Sequence, residues 1–255
     1  MRDIVDYENK YLNNNFEIAY QVKYRRKKVI ELLRKYPHEN ILEIGCGMES
    51  LAAFIDDFKE YTIVDPSEVF IENAKEKLKN SKKKVSFITN SIEDASAKLM
   101  ETKNFDYIIL SSLLHEVENP SRFLESVIAL CAENTVIHIN VPNANSFHRL
   151  LGVESGYIKS IYNFSGNNIL FQQHSVFEMD MLLGLIKAVS DKNSKNANFL
   201  DMGSYFVKPF THRQMEQCME NNIINNEIIE GFDRMIKYMP DLGSEIYVNF
   251  SLMNL

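Results

Sequence analysis

Glycine is scarce in this chain, nine in 255 residues, and no stretch rich in glycine, proline or serine divides it. A flexible linker is therefore excluded as an organising feature, and a single core is expected. Cysteine is scarcer still. Cys46, Cys131 and Cys218 are odd in number and far apart, which argues against a disulfide framework or a paired zinc motif and fits reduced thiols in a cytosolic protein. No apolar run approaches the length of a membrane span, and the polar N-terminal stretch "MRDIVDYENKYLNNNFEIAY" lacks the apolar centre of a secretory signal. Positive charge is in deficit, with 28 Lys and Arg against 35 Asp and Glu and a net charge of −7. That balance disfavours a protein that grips nucleic acid through its phosphates, and a small or neutral substrate fits better. The one dense basic run, "KEKLKNSKKK", reads as the solvated face and end of a helix.

What is present is a strand-helix rhythm. From Phe16 to Tyr36, apolar residues recur at helical spacing until Pro37 stops them, which predicts a leading helix. "NILEIG", "EYTIVD", "KVSFIT", "FDYIILSS" and "NTVIHINVP" read as five buried strands. "LAAFIDDF", "SEVFIENAKEKLKN" with Ser67 as N-cap, and "SRFLESVIALC" read as helices. Such alternation implies a parallel sheet covered on both faces. After Pro142 the rhythm breaks: 143–173 is polar, aromatic and irregular, and reads as a lid. "SVFEMDMLLGLIKAVS" restores a helix, "SDKNSKNAN" reads as an exposed loop and "FLDMGSYFVKPF" as a strand. "HRQMEQCMENNIINNEIIEGFDRMIKYM" reads as helical, and "SEIYVNFSLM" alternates as a closing strand. The expected organisation is one domain, with a helical cap over 1–36, a ligand-binding core over 37–145, a lid over 146–198 and closing elements over 199–255.

Two of the nine glycines stand together in "ILEIGCGMES". Gly45 and Gly47 lie at the carboxyl end of the first strand, where open parallel sheets bind ligands, and the missing side chains allow close backbone approach. A phosphate-cradling loop would need a Lys-Ser or Lys-Thr pair that "GCGMESLAA" lacks. A dinucleotide site would prefer a third glycine where Ser50 stands. Asp65, about 20 residues on, offers a carboxylate to the two hydroxyls of a ribose, which suits any adenosine-containing cofactor. Glu43 beside the loop would repel a pyrophosphate and attract a cation, which points to an ammonium or sulfonium.

At these positions the chain resembles the class I S-adenosylmethionine-dependent methyltransferases. "LEIGCG" is similar to their cofactor loop, "IVDPS" to their ribose-binding strand end and "FITNSIEDA" to their adenine segment. "FDYIILSSLLHEVENP" is similar to the fourth strand and following loop of the subgroup that includes ubiquinone-type O-methyltransferases. The resemblance implies a Rossmann-like, seven-stranded, mostly parallel sheet with an antiparallel closing strand, helices on both faces, a helical N-terminal segment and a lid insertion. It also implies S-adenosylmethionine as cofactor. Carried over by position, Glu43, Gly45 and Gly47 line the methionine end and Asp65 holds the ribose. Ser91 and Ile92 flank the adenine, and Ser111 or Ser112 with Leu113 walls the methyl group. Many relatives have Asp where Ser91 stands, so Ser91 or Glu93 takes its place here. Arg26 could reach the methionine carboxylate, or be an ordinary helix arginine.

Methyl transfer requires alignment of acceptor and methyl and, for an alcohol, a base near neutral pKa. Of six histidines, His38 reads as surface, His138 as a sheet residue, His212 as a helix start and His174 as a lid or cap residue. His148 and His115 are the candidate bases. Asn143, Asn145, Ser146 and Arg149 offer donors to an oxygen-rich small-molecule acceptor. Tyr157, Tyr162, Phe164 and Phe171 could wall its pocket, or simply pack a lid. "MGSYFVKPF" and "MPDLGSEIYVNF" are similar to bacterial methyltransferases of surface-polysaccharide or small-molecule biosynthesis, which implies O-methylation of a sugar, phosphorylated metabolite or capsule precursor. The alternatives are an NAD(P)-dependent oxidoreductase, carried by Gly45, Gly47 and Asp65 alone, and a non-catalytic adenosyl-binding protein.

Overall fold

A computed structural model describes Ile4, Asp6, Glu8 and Lys10, residues 17–102 and residues 104–254. Its centre is a seven-stranded sheet of order β3-β2-β1-β4-β5-β7-β6. The strands are β1 (Asn40–Ile44), β2 (Glu60–Asp65), β3 (Lys84–Thr89), β4 (Phe105–Ser111), β5 (Cys131–Pro142), β6 (Lys195–Tyr205) and β7 (Glu245–Asn254). Only β7 runs against its neighbours, pairing antiparallel with β5 and β6. This is the expected fold, seven strands with an antiparallel closing strand.

Period-two burial decides why these runs become strands. Leu42, Ile44, Ile108 and Leu110 pack on one face of the sheet, and Ile41, Tyr107 and Ile109 on the other. Both faces are covered, so the strands read as unbroken apolar runs. The first face is covered by α3 (Ile92–Thr102), α4 (Pro120–Ile128) and α7 (Met179–Lys192); α7 contributes Leu182, Ile186 and Val189 at helical spacing. The second is covered by α1 (Val22–Leu33) and α2 (Glu68–Leu78), the latter capped by Ser67 as expected.

Several expectations are corrected. The leading helix begins as a π-helical turn, Glu17–Gln21, and continues as α1; Phe16 lies outside the described residues. "LAAFIDDF" forms a single 3-10 turn, Leu51–Ala53. Leu51, Ala52, Ile55 and Phe58 mimic helical spacing, but all four are buried in one cluster from an irregular chain. The stretch 143–173 contains α5 (Phe147–Glu154) and α6 (Gly166–Leu170), and the expected loop "SDKNSKNAN" already enters β6 at Lys195. The long helical run after Thr211 divides into α8 (His212–Glu220) and α9 (Asn226–Arg234), each with its own side-chain N-cap, Thr211 and Asn225.

One buried carboxylate ties the distal half of the sheet to α1. Glu245, at the start of β7, accepts from Arg25 Nε and Nη2, at 3.0 and 2.6 Å to Oε1, from Gln21 Nε2 at 2.8 Å, from Asn140 Nδ2 at 2.7 Å and from the Tyr205 hydroxyl. His138 sits beside this group, its ring nitrogens 2.6 Å from Asn249 Oδ1 and 3.1 Å from Asn140 Oδ1, which is the sheet role expected of it. Burial alone would raise the Glu245 pKa, but the Arg25 charge and the hydrogen bonds outweigh it and bring it down to about 2. A lowered carboxylate pKa contributes stability that is complete above the unfolded value and is lost as pH falls through the folded one. Stability therefore falls between pH 4.5 and 2. Arg25→Met leaves the charge buried and unpaired, and should cost about 3 kcal/mol in urea unfolding at pH 7.

Candidate active site

Strand order reverses between β1 and β4, and ligands of open parallel sheets bind beyond the carboxyl ends of the strands at such a switch point. Here a cavity of about 1510 Å³ opens over Gly45, Asp65, Asn90, Ser111 and Asn143, the ends of the five parallel strands.

The glycine loop is shaped by two buried carboxylates. Gly45 and Gly47 have φ of +78° and +53°, a region that L side chains enter at a cost. A Cβ on Gly45 would also stand 2.9 Å from Leu113 Cδ2. The carboxylate of Asp65 accepts from Ser67 N at 2.8 Å and from Gly47 N at 3.4 Å. Glu43 accepts from Ser50 Oγ at 2.5 Å, Leu51 N at 3.0 Å and Tyr61 Oη at 3.1 Å. Ser50, where a dinucleotide loop would carry its third glycine, thus has a reason of its own: it bonds Glu43 and caps the Leu51–Ala53 turn. Burial raises the Glu43 pKa to about 7 and moves that of Asp65 upward from its ordinary value.

All the residues expected at the cofactor line this cavity: Glu43, Gly45, Gly47, Asp65, Ser91, Ile92, Ser111, Ser112, Leu113 and Arg26. Three carry out local duties there. Glu43 braces the loop with both oxygens, where the sequence suggested a carboxylate offered to a cation. The Ser91 hydroxyl accepts from Asp94 N and donates to Asp94 Oδ2, so it starts α3, and the adjacent Asp94 carboxylate, which sequence reasoning missed, lines the cavity. Arg26 pairs with Glu49 at the rim, its guanidinium 3.5 Å over the Phe54 ring. Ser112 takes a φ of +55° and donates its N–H to the Asn140 carbonyl, and this turn aims Leu113 at the glycine loop.

The two candidate bases meet in the same cavity. His115 is buried after β4, and its carbonyl accepts from the backbone N–H of His174 and Ser175, joining it to the lid. His148 sits in the first turn of α5, and its Nδ1 is buried with no hydrogen-bond partner among the described residues. Burial, then the charge of Lys208 with further contributions from His212 and Arg149, holds the His148 pKa well below the usual imidazole range. His38 lies outside the cavity against Asp57, as expected.

Of the donors expected for the acceptor, Asn143 and Arg149 line the cavity, and both are also engaged by the backbone. Asn143 is buried and gives its amide to the Asp241 and Gly243 carbonyls, while its Oδ1 accepts from Asn145 N. Asn145 and Ser146 are not among the cavity-lining residues. Arg149 reaches the lining, but its guanidinium donates to the carbonyls of Ile161 at 2.9 and 2.5 Å and of Asn163 at 2.5 Å. Asn143 and Arg149 satisfy the backbone of an irregular segment, a demand that polar side chains near loops commonly meet. Of the aromatics, Tyr157 and Phe171 line the cavity; Tyr162 and Phe164 do not. The cavity is also lined by residues that sequence reasoning missed or placed elsewhere: Gln21, Arg25, Lys208, His212, Ser244 and Glu245. A signal existed in "SYFVKPF", where one lysine interrupts a buried apolar run.

Ile4 lines the cavity, Glu8 accepts from the Ser67 hydroxyl, and Asp6 accepts from Gln172 Nε2 at 2.9 Å. Among the described residues there is no His, Cys, Asp and Glu cluster fit to hold a metal ion, and no helix is long and apolar enough to cross a membrane.

Residues 18–221 match the sequence model of a family described as a methyltransferase domain. Among solved structures, the chain is similar to the plantazolicin methyltransferase BamL in complex with a triazolic desmethylPZN analog and SAH, at TM-score 0.60 and 18% identity over 94% of this chain and 89% of that one. It is also similar to the N-methyltransferase NodS from Bradyrhizobium japonicum WM9 in complex with S-adenosyl-l-homocysteine, at TM-score 0.54 and 13% identity over 94% and 88%. These two likenesses concern the fold. In sequence it is 31% identical over 102 residues to a hybrid PKS-NRPS synthetase, apdA, of Emericella nidulans, covering 38% of this chain and 3% of the synthetase. The match is to a small part of a much longer protein. It does not lead to the ubiquinone-type or polysaccharide-linked subgroups that the sequence resembles.

The raised Glu43 pKa gives a testable slope. A carboxylate whose folded pKa is raised contributes stability that is complete below the unfolded value and is lost as pH rises through the folded one, here from 4.5 to about 7. Urea unfolding at pH 5 to 8 should show wild-type stability losing up to about 1.4 kcal/mol per pH unit from this group. Glu43→Gln, which cannot ionise, should flatten that slope; parallel curves would show that Glu43 does not titrate in this window.

Proposed function

Because this chain belongs to the class I S-adenosylmethionine-dependent methyltransferases, we propose that it methylates a hydroxyl oxygen of a small-molecule acceptor, with His148 receiving the proton. The cavity suits the cofactor: a cradle at Gly45 that a Cβ would fill, and a buried carboxylate at Asp65 facing it. When bound, the cofactor supplies an electrophilic methyl group on a sulfonium. The chain supplies binding, alignment and proton management.

In this reading Asp65 accepts the ribose hydroxyls with the lone pairs left over from Ser67 N and Gly47 N, since each carboxylate oxygen accepts more than one bond. Ile92 and the Asp94 carboxylate meet the adenine. Leu113, packed against Gly45, keeps water from the reacting centre. His148 carries the proposal: a buried imidazole nitrogen beside the cavity, with no hydrogen-bond partner among the described residues, is an acceptor in waiting. Its lowered pKa keeps it unprotonated through the physiological range, so it can take a hydroxyl proton as the oxygen attacks. Gln21 Oε1, also buried and without a hydrogen-bond partner among the described residues, offers a second acceptor to orient the same molecule.

Sugars, phosphorylated metabolites and capsule precursors all carry such hydroxyls, as does polyketide material of the kind that the matched synthetases are named for. Asp65→Ala should weaken binding of S-adenosylhomocysteine by about 10- to 100-fold in calorimetry; no binding by the folded wild type would contradict the proposal. His148→Ala should leave that affinity intact and lower turnover about 100-fold, measured as labelled methyl transferred from S-adenosylmethionine to the small molecules of a cell extract. Undiminished turnover would remove His148 from the chemistry.

A further inference from the structure

We propose that Gln21 selects the acceptor molecule: its Oε1 accepts a hydrogen bond from a neutral donor, a hydroxyl or amide N–H, distinct from the hydroxyl that receives the methyl group. The inference rests on the methyl-transfer reading of the same cavity and narrows the molecule it takes to one with two such donors.

The amide of Gln21 is locked in one orientation. Its Nε2 donates to Ser244 Oγ at 2.9 Å and to Glu245 Oε1 at 2.8 Å. Burial pushes the Glu245 pKa up, but Arg25 and the hydrogen bonds outweigh it and bring it down to about 2, so this carboxylate is ionised and only accepts. A reversed amide would set an oxygen against that negative charge. Both N–H groups are therefore spent. What remains on the side chain is Oε1, buried and without a hydrogen-bond partner among the described residues. Gln21 is 2% exposed and lines the cavity. A buried acceptor left unmet is costly, and a donor on the ligand removes that cost.

The backbone around Gln21 fixes it at the same end of the cavity as His148. Gln21 closes the π-helical turn Glu17–Gln21, a form frequent at functional sites, and stands one helical turn before Arg25, so both side chains reach one carboxylate. Asn143 N donates to the Ser244 carbonyl and Phe147 N to the Leu242 carbonyl, each at 3.0 Å. The strip that receives Gln21 therefore also carries the start of α5, where His148 follows Phe147. Gln21 Oε1 and His148 Nδ1 both lack partners among the described residues. With the imidazole proton on Nε2, both are acceptors. A carboxylate or phosphate brings no hydrogen to either, and an ammonium would meet the guanidinium groups of Arg25 and Arg149 that line the same cavity. A hydroxyl or amide N–H satisfies Gln21 while a hydroxyl elsewhere on the molecule meets His148.

Labelled methyl transfer by the full chain into the small molecules of a cell extract, run over a dilution series of the extract, tests this. Gln21→Lys keeps a donor for Glu245 and Ser244 but has no acceptor. It should need about tenfold more extract than wild type for half-maximal labelling, with the rate at saturating extract little changed. Gln21→Glu should restore the wild-type value near pH 6: beside ionised Glu245 the new carboxyl stays protonated, donates through its hydroxyl and keeps an oxygen where Oε1 stands. S-adenosylhomocysteine affinity should be equal in all three proteins, which also certifies their folding; if Gln21→Lys does not fold, Gln21→Met takes its place. The labelled product of the wild type should retain at least one exchangeable hydrogen, counted by its mass shift in heavy water. Equal half-saturation of wild type and Gln21→Lys, no recovery in Gln21→Glu, or a product without an exchangeable hydrogen overturns the role of Gln21 and leaves methyl transfer standing. Failure of the wild type to bind S-adenosylhomocysteine, or to label any molecule, overturns methyl transfer and the role of Gln21 with it.

Discussion

Two buried carboxylates hold the turn on which the cavity depends. Asp65, at the end of β2, reaches back to Gly47 N, and Glu43, inside β1, reaches forward to Ser50 and Leu51. The chain between them can bend sharply only because Gly45 and Gly47 accept positive φ. Were the loop to relax, Leu113 would lose the surface it packs against and the end of β1 would close over the switch point. Burying carboxylates is costly unless their hydrogen bonds are satisfied. Here the same bonds that satisfy them also fix the loop, so the cost and the site have one origin.

The other half of the cavity comes from parts remote in sequence. Gln21 arrives from the π-helical turn before α1 and Arg25 from α1, Lys208 and His212 from beyond β6, and Ser244 and Glu245 from the entry to β7. Glu245 joins them, because its oxygens can be satisfied only when α1, β5, β6 and β7 are all in place. Stability and the shape of this side of the cavity are therefore coupled. Changes at Arg25 or Tyr205 would alter both.

The glycine-loop side of the cavity was legible in the sequence, and the far wall was not, for physical reasons. Strands β1 to β5 are buried on both faces, so they appear as apolar runs, and their ends carry Gly45, Gly47 and Asp65 in fixed order. β6 is an edge strand whose outer positions stay polar, so its first residues, Lys195 to Asn198, looked like a loop. Asn143 and Arg149 have side chains suited to a ligand, yet the backbone carbonyls of an irregular segment claimed them first. Such a demand is set by tertiary packing and leaves no trace in spacing. Lys208 and Glu245 were visible only as charges out of place in apolar runs, a sign of burial that does not say what they face.

The most direct measurement is a crystal structure of the protein soaked or grown with S-adenosylhomocysteine. The account predicts the ribose hydroxyls against the Asp65 carboxylate, the sulfur over the Gly45 to Gly47 turn, and open space between that sulfur and His148. A nucleoside bound away from Asp65, or a sulfur walled off from His148 by the protein, would contradict it.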